Sequence, residues 1–369
     1  MSEAVTAPAL LRAALLRWYG GAARELPWRS APTPYHVLLS ELMLQQTRVE
    51  TVIPYFQRFI ARWPTLEALA AADEQDVLSE WAGLGYYRRA RNLKRAAEAA
   101  VARGGLPASV EGLLELPGVG PYTAGAIASI AFGLPVGAVD GNVERVLSRV
   151  DAREQNPRSP AGARALRARA AELSQAGVAS EVTQALMELG ATVCTPRKPS
   201  CARCPWETMC LGRARGVAES LPRLPERRRP TELRGVAGLL RRADGVLVGR
   251  RPPGLLGGLW EPVMGEYDGD LSPAVAVTRV FAARAGLPVR VVRPLGQVVH
   301  VFTHRRLSLE VFEVEALGAE PLGGDGSYEA LGTWEANRSG QPLSKLAEKV
   351  LALERAPALW LAAEPGAAL

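Results

Sequence analysis

Apolar residues recur at helical spacing through the first half of the chain and switch to strand-like runs in the second, so the pattern predicts an all-α part followed by an α+β part. Ala7 to Tyr19 places Leu11, Leu15 and Trp18 on one helical face, and Gly20-Gly21 ends it. Pro32 and Pro34 open a helix from Tyr35 to Arg48, in which Val37, Leu38, Leu39, Leu42, Met43 and Leu44 surround Glu41 on nearly every side. Helical segments are expected over Thr51 to Ala61 and Thr65 to Trp81. Leu116-Pro117-Gly118-Val119-Gly120-Pro121 then reads as a tight turn between two helices, with Pro121 in the first turn of the next, which runs to Phe132. Asp140-Gly141-Asn142 precedes Val143, Val146, Leu147 and Val150 and marks Asp140 as a helix cap.

After Cys210 the periodicity fades. Gly212 to Glu232 is rich in arginine and proline and reads as a linker. Beyond it, strands are expected at Val236 to Leu240 and Val246 to Arg250, joined through Asp244-Gly245, and at Val289 to Val292, Gln297 to Thr303 and Leu307 to Val314. Helices are expected at Ala274 to Ala285 and near Leu343 to Leu353. The domains expected are therefore a helical domain over 1–214, a linker over 215–232, an α+β domain over 233–356 and a mobile Ala- and Pro-rich tail over 357–369. There is no internal repeat.

Three features carry chemistry. The glycine turn leaves backbone N–H groups at a helix N-terminus, so Gly118, Val119 and Gly120 form either a cradle for a phosphate or an ordinary helix connection. Glu41, enclosed by leucines, is either a general acid whose pKa burial has raised or a carboxylate at the core edge reaching a backbone N–H. Asp140, at a helix N-terminus, is expected to have a low pKa. Two carboxylates in opposed environments suit the acid and anion roles at a glycosidic bond, although spacing does not place them together.

The charge balance, 44 Lys+Arg against 38 Asp+Glu with pI near 9.3, permits a polyanionic partner. Gly83-Leu84-Gly85-Tyr86-Tyr87 followed by Arg88, Arg89 and Arg91 is either a surface that stacks bases and holds phosphates or a solvated basic helix. No apolar run reaches membrane-spanning length and no signal-peptide layout is present, so a cytoplasmic, monomeric protein is expected. All four cysteines fall within one stretch, Cys194, Cys201, Cys204 and Cys210, with six, two and five residues between them. One close pair rather than two favours an iron–sulfur cluster over structural zinc.

The glycine hairpin, the aspartate of Val139-Asp140-Gly141-Asn142-Val143 and the cysteine quartet together resemble the helix–hairpin–helix DNA glycosylases that carry a [4Fe–4S] cluster. Within them, Leu38 to Val49 and Gly83 to Tyr87 are similar to the adenine DNA glycosylases of the MutY family, over essentially the whole chain. The resemblance implies removal of adenine opposite 8-oxoguanine, or guanine, from duplex DNA after base flipping. Glu41 is then the proton donor to the purine and Asp140 the anion facing an oxocarbenium-like sugar, with Tyr122 and Asn142 beside them. Trp28, Arg29, Leu44, Val49 and Gln184 line the adenine pocket, although Trp28, Leu44 and Val49 also read as plain core. Gln46, Leu84 and Tyr86 contact DNA, Gln46 and Tyr86 as wedges, and Arg197, Lys198 and Arg203 face phosphate.

Relatives similar to endonuclease III carry a lysine where Tyr122 stands, which argues for a monofunctional glycosylase. A bifunctional endonuclease and a non-catalytic DNA-binding protein are the competing readings, the second opposed by retention of both Glu41 and Asp140. The second half resembles a Nudix-like domain. Its helix Ala274 to Ala285 has no carboxylate to hold magnesium, so it is expected to read 8-oxoguanine through Phe302, Thr303 and His304, with threonine where the family has serine.

Overall fold

Proline in the first turn and a Ser, Thr or Asp side chain just before the helix start many of the helices, because both suit the N–H groups left unpaired there. A computed structural model describes residues 7–30, 32–225, 230–252, 254, 256–267, 269–302, 304–318, 325–335 and 341–355. The helices are α1 Pro8–Ala22, α2 Pro27–Ser30, α3 Pro34–Leu44, α4 Val49–Arg62, α5 Leu66–Ala71, α6 Glu74–Glu80, α7 Arg88–Val101, α8 Val110–Leu114, α9 Pro121–Ile130, α10 Gly141–Val150, α11 Pro160–Leu173, α12 Ala179–Thr192 and α13 Leu211–Ala214. The strands β1 Thr231–Arg242, β2 Gly245–Arg250 and β3 Trp260–Glu266 follow. Then come α14 Pro273–Ala285, β4 Val289–Val301, β5 Arg305–Ala316, β6 Ala330–Trp334 and α15 Lys345–Ala352.

The chain divides into two compact units, Met1–Ala72 with Arg89–Glu226, and Asp73–Arg88 with Arg227–Leu369. The second unit thus takes in α6 and the Gly83-to-Tyr87 stretch, where Tyr87 donates its hydroxyl to the Leu343 carbonyl at 2.5 Å. The expected linker over 215–232 holds structure of its own, a 3-10 turn at Ala218–Ser220 and the start of β1 at Thr231.

In the first unit, Leu11 and Leu15 of α1 pack with Val146 and Leu147 of α10 and with Leu186 and Leu189 of α12. Trp206 joins this core and donates its indole N–H to the Leu11 carbonyl at 2.8 Å. Several boundaries differ from the sequence expectation. The first helix runs through Gly20-Gly21 to Ala22 instead of ending after Tyr19. The helix through Glu41 ends at Leu44 rather than Arg48, because Gln46 turns to φ +58° and the Arg89 guanidinium takes up the carbonyls of Leu42, Met43 and Gln45. The segment from Thr65 to Trp81 is split at Asp73, whose carboxylate caps a new helix by accepting from Gln75 N at 2.7 Å. The helix after Gly120 closes at Ile130, short of Phe132.

Among its described residues the second unit holds a six-stranded sheet in the order β4-β5-β1-β3-β2-β6. β1 runs parallel to β5, and the other neighbours are antiparallel. Helix α14 covers one face through Val277 and Phe281, and α15 covers the other through Leu346 and Val350. The two strands expected at 289–292 and 297–303 are a single β4, bent by register shifts at Val291/Arg293 and Pro294/Gly296. β3 and β6 were not expected. Pro262 and Gly265 break the strand signal of β3, and its Glu261 is a carboxylate that is 1% exposed and held by Arg251 at 2.8 Å. Thr303 and the tail over 357–369 lie outside the described residues.

Candidate active site

Four elements of the first unit meet around Glu41. Helix α3 supplies the carboxylate, which is 6% exposed, and α9 supplies Tyr122, whose hydroxyl donates to Glu41 Oε2 at 2.5 Å. Burial raises the Glu41 pKa to about 7, and the Asp140 charge adds to the rise. The Tyr122 hydrogen bond and the Arg29 charge oppose it. Asp140 therefore stands within electrostatic reach of both Glu41 and Tyr122. Burial first, then the Glu41 charge and the Asp140 charge, push the phenol well above its ordinary range.

Asp140 caps α10, accepting from the N–H groups of Asn142 at 2.9 Å and Val143 at 2.8 Å and from the Asn142 amide at 3.0 Å. The low pKa expected from this position is corrected by the structure. Burial raises the carboxyl above its ordinary value, against the donors of Val143 and Asn142 and the charge of Arg145. Desolvation outweighs the helix terminus here, so the two carboxylates differ in degree rather than in direction. Only Glu41 carries a rise as far as about 7.

The close approach of α10 and α12 makes this arrangement possible. A Cβ on Gly190 would meet Asn142 Cβ at 2.6 Å, so only glycine lets the capping turn lie there. Arg145 then binds across the junction, donating to Asn142 Oδ1 at 2.9 Å, Gly190 O at 2.7 Å and Cys194 O at 2.7 Å.

Of the expected pocket residues, Arg29 bears on Glu41 through its charge. Trp28 is buried edge-on to Phe56, with ring centroids 5.4 Å apart, so its packing role is plain. Arg29 donates to Glu188 Oε2 at 2.8 Å and to the Arg24 carbonyl at 3.1 Å. Leu44 and Val49 are half-buried at the end of α3 and the start of α4, and Gln184 donates to Ser180 Oγ at 3.2 Å along α12.

Gln46 is exposed in the left-handed region between α3 and α4. In the hairpin, Gly118 is exposed at φ +76°, and a Cβ there would meet Asn92 at 2.4 Å. Val119 N donates to Leu116 O at 3.1 Å and Gly120 caps α9 without a side chain. In the second unit Tyr86 is 48% exposed at φ +49° while Leu84 is buried. Phe302, half-buried, packs edge-on to His300 with centroids 4.6 Å apart, and His304 is exposed.

The four cysteines, none of them in a disulfide, line one small cavity together with Arg149 and Arg213. Arg149 approaches Cys194 Sγ at 3.4 Å and binds the carbonyls of Thr195 at 2.7 Å and Pro196 at 3.0 Å. Among the described residues no three Cys, His, Asp or Glu side chains stand close enough to share one metal ion. Four soft thiol donors lining one cavity are a donor set that fits a thiophilic metal group. Arg197, Lys198 and Arg203 are exposed on this loop.

Sequence reasoning missed Glu188, Arg24 and Arg145. The available signal was charge on a buried stripe: Glu188 follows Ala185 by one helical step, and Arg145 lies between Val143 and Val146.

The family model for the HhH-GPD superfamily base excision DNA repair proteins matches residues 39–171, and the NUDIX domain model matches residues 236–353. Human adenine DNA glycosylase is 37% identical over 370 residues, covering 84% of this chain and 68% of the relative. The adenine DNA glycosylase of Mycolicibacterium smegmatis is 45% identical over 194 residues, covering 52% of this chain and 66% of the relative. Among solved structures, a thermostable thymine-DNA glycosylase superposes with a TM-score of 0.52 at 26% identity, covering 56% of this chain and 97% of its own. The chain belongs to the adenine DNA glycosylase family, base-excision hydrolases of N-glycosyl bonds, with a helix–hairpin–helix catalytic domain and a C-terminal Nudix-like α+β domain.

Proposed function

We propose that the protein is a monofunctional glycosylase that removes adenine paired with 8-oxoguanine, and with guanine, from duplex DNA. The observation that carries this reading is a buried carboxyl with pKa near 7, Glu41, facing a second carboxylate that caps a helix, Asp140. A half-protonated acid at neutral pH suits protonation of the purine ring, which makes the base a leaving group. Asp140, kept from closing on Glu41 by its three donors, faces the positive charge that develops on the sugar. Tyr122 holds Glu41 in one rotamer, and Asn142 holds Asp140.

Arg29 and Gln184 offer polar contacts to a flipped adenine, while Trp28, Leu44 and Val49 supply its apolar walls. The turn of Gly118, Val119 and Gly120 receives a phosphate at the start of α9, with the Val119 N–H already given to the Leu116 carbonyl, and Gln46, Leu84 and Tyr86 work at the duplex, Tyr86 and Gln46 as the exposed members. Phe302, Thr303 and His304 read 8-oxoguanine. Cys194, Cys201, Cys204 and Cys210 hold a [4Fe–4S] cluster, which when bound supplies a fixed cross-link for the loop carrying Arg197, Lys198 and Arg203.

The deciding assay uses a duplex with adenine opposite 8-oxoguanine, scored for strand breaks with and without alkali. Breaks only after alkali are expected. Breaks without alkali would indicate the lyase of a bifunctional enzyme, and no breaks in either case a DNA-binding protein without this activity.

A further inference from the structure

Glu188 is a carboxylate with 0% exposure in the middle of α12, and it serves two arginines at once. Arg24 donates from Nε to Oε1 at 2.6 Å and from Nη2 to Oε2 at 3.0 Å, and Arg29 donates from Nη2 to Oε2 at 2.8 Å. The Arg24 backbone N–H adds a longer contact to Oε1 at 3.4 Å. Burial disfavours this carboxylate, yet the hydrogen bonds from Arg24 and Arg29 more than offset it and hold its carboxyl below the usual range. The group is thus a fixed anion. Arg24 can reach solvent at 35% exposure, whereas Arg29 is only 16% exposed and stacks over the Tyr19 ring, 5.7 Å from its centroid.

Arg29 is also a cation whose charge bears on the acid, opposing the rise of its pKa. The charged and titratable groups that bear on Glu41 are Tyr122 from α9, Asp140 at the start of α10 and Arg29 from α2. Those that bear on Arg29 and its partners are Glu188 and Glu181 from α12, Tyr19 from α1, and Arg24, which also feels Glu50 from α4. A bare guanidinium beside Glu41 would favour its ionised form and disarm the proton donor.

We propose that Glu188 is a positioning residue of the adenine pocket: it fixes the Arg29 guanidinium in the pocket wall with its charge already partnered, so that Arg29 can face the base without stripping the proton from Glu41. The inference rests on Glu41 as the acid. It adds that the working protonation state of Glu41 is set from α12, a helix that does not carry it.

The test is the pH profile of single-turnover adenine excision by the full-length protein on a duplex with adenine opposite 8-oxoguanine, with folding checked by thermal melting. The wild-type rate falls as pH rises through the Glu41 value near 7. Glu188→Gln keeps the shape and removes the anion, so its limb is expected to move toward acid by about one pH unit. Arg29→Met leaves Glu188 paired with Arg24 and is expected to move the limb the other way, to higher pH. Opposite shifts from two members of one ion pair are a signature that mere loss of packing would not give.

A folded Glu188→Gln protein with its limb at the wild-type position overturns the proposal. If that variant does not accumulate as folded protein, Glu188→Asp decides: the shorter carboxylate loosens its hold on Arg29, so a limb moved toward acid supports the inference and an unmoved limb overturns it. Failure of the underlying reading looks different, since wild type would then show no such limb and Glu41→Gln would keep excising.

Discussion

At Glu41 stability and function pull in opposite directions. A carboxyl whose folded pKa is about 7 against an ordinary 4.5 binds its proton more tightly in the folded state, so the protein loses stability as pH rises between those values. The loss approaches about 3 kcal/mol at alkaline pH. Glu41→Gln removes the ionisable group from the same volume. It is expected to abolish excision and to melt above wild type at pH 8 but not at pH 5. Equal melting shifts at both pH values would show that the carboxyl is not the source. Asp140→Asn keeps an oxygen acceptor for the α10 cap while deleting the charge, so excision is expected to fall severely with little change in melting temperature. Asp140→Ala loses the cap as well and is expected to cost a further 1 kcal/mol or so, seen as a lower melting temperature.

The helical elements show why the two buried carboxylates were readable and their support was not. Asp140 was visible as a cap because the signal is local: a short polar side chain before an apolar periodic run. Glu41 was visible because six apolar neighbours on one helix leave no polar face, and burial is the largest cause of its raised pKa, with the Asp140 charge adding to it. Asp140 was misjudged in pKa because burial by other elements has no local signature, and burial decided the direction. The same holds for Glu188, whose two arginines come from residues 24 and 29, far away in sequence. In the sheet, β1 and β5 read clearly as apolar runs, whereas β3 was hidden by Pro262 and by a glutamate neutralised through Arg251. The junction of α10 and α12 gives a sharp test of packing at this scale. Gly190→Ala forces a Cβ into Asn142, and one of the two helices must shift. A destabilisation of about 1–3 kcal/mol is expected, with a fall in single-turnover excision, because Asn142 is the amide that holds Asp140. A stability loss with unchanged excision would show that α10 moves as a body and carries its cap with it.

For the whole molecule, the division of labour can be tested without cutting the chain. A fragment ending near Ala214 would remove the second half, but it would also strip Asp73–Arg88 of partners such as the Leu343 carbonyl that Tyr87 binds. Its loss of activity would then mix recognition with the disordering of a segment that holds Leu84 and Tyr86. A point change inside the second unit is cleaner. Phe302 sits where β4 turns into β5, its N–H bonded to the Arg305 carbonyl at 2.7 Å and its ring against His300. Its ring packs against the core beneath α15, so Phe302→Leu should keep the turn and the packing while removing the aromatic face. If this loop reads 8-oxoguanine, Phe302→Leu is expected to slow excision of adenine opposite 8-oxoguanine by on the order of ten-fold, the worth of a lost aromatic contact, and to leave adenine opposite guanine nearly unchanged. The ratio of the two single-turnover rates is the measurement. Equal slowing on both duplexes would mean that the loop serves general DNA affinity, and the assignment of Phe302 and its neighbours to the damaged base would fall.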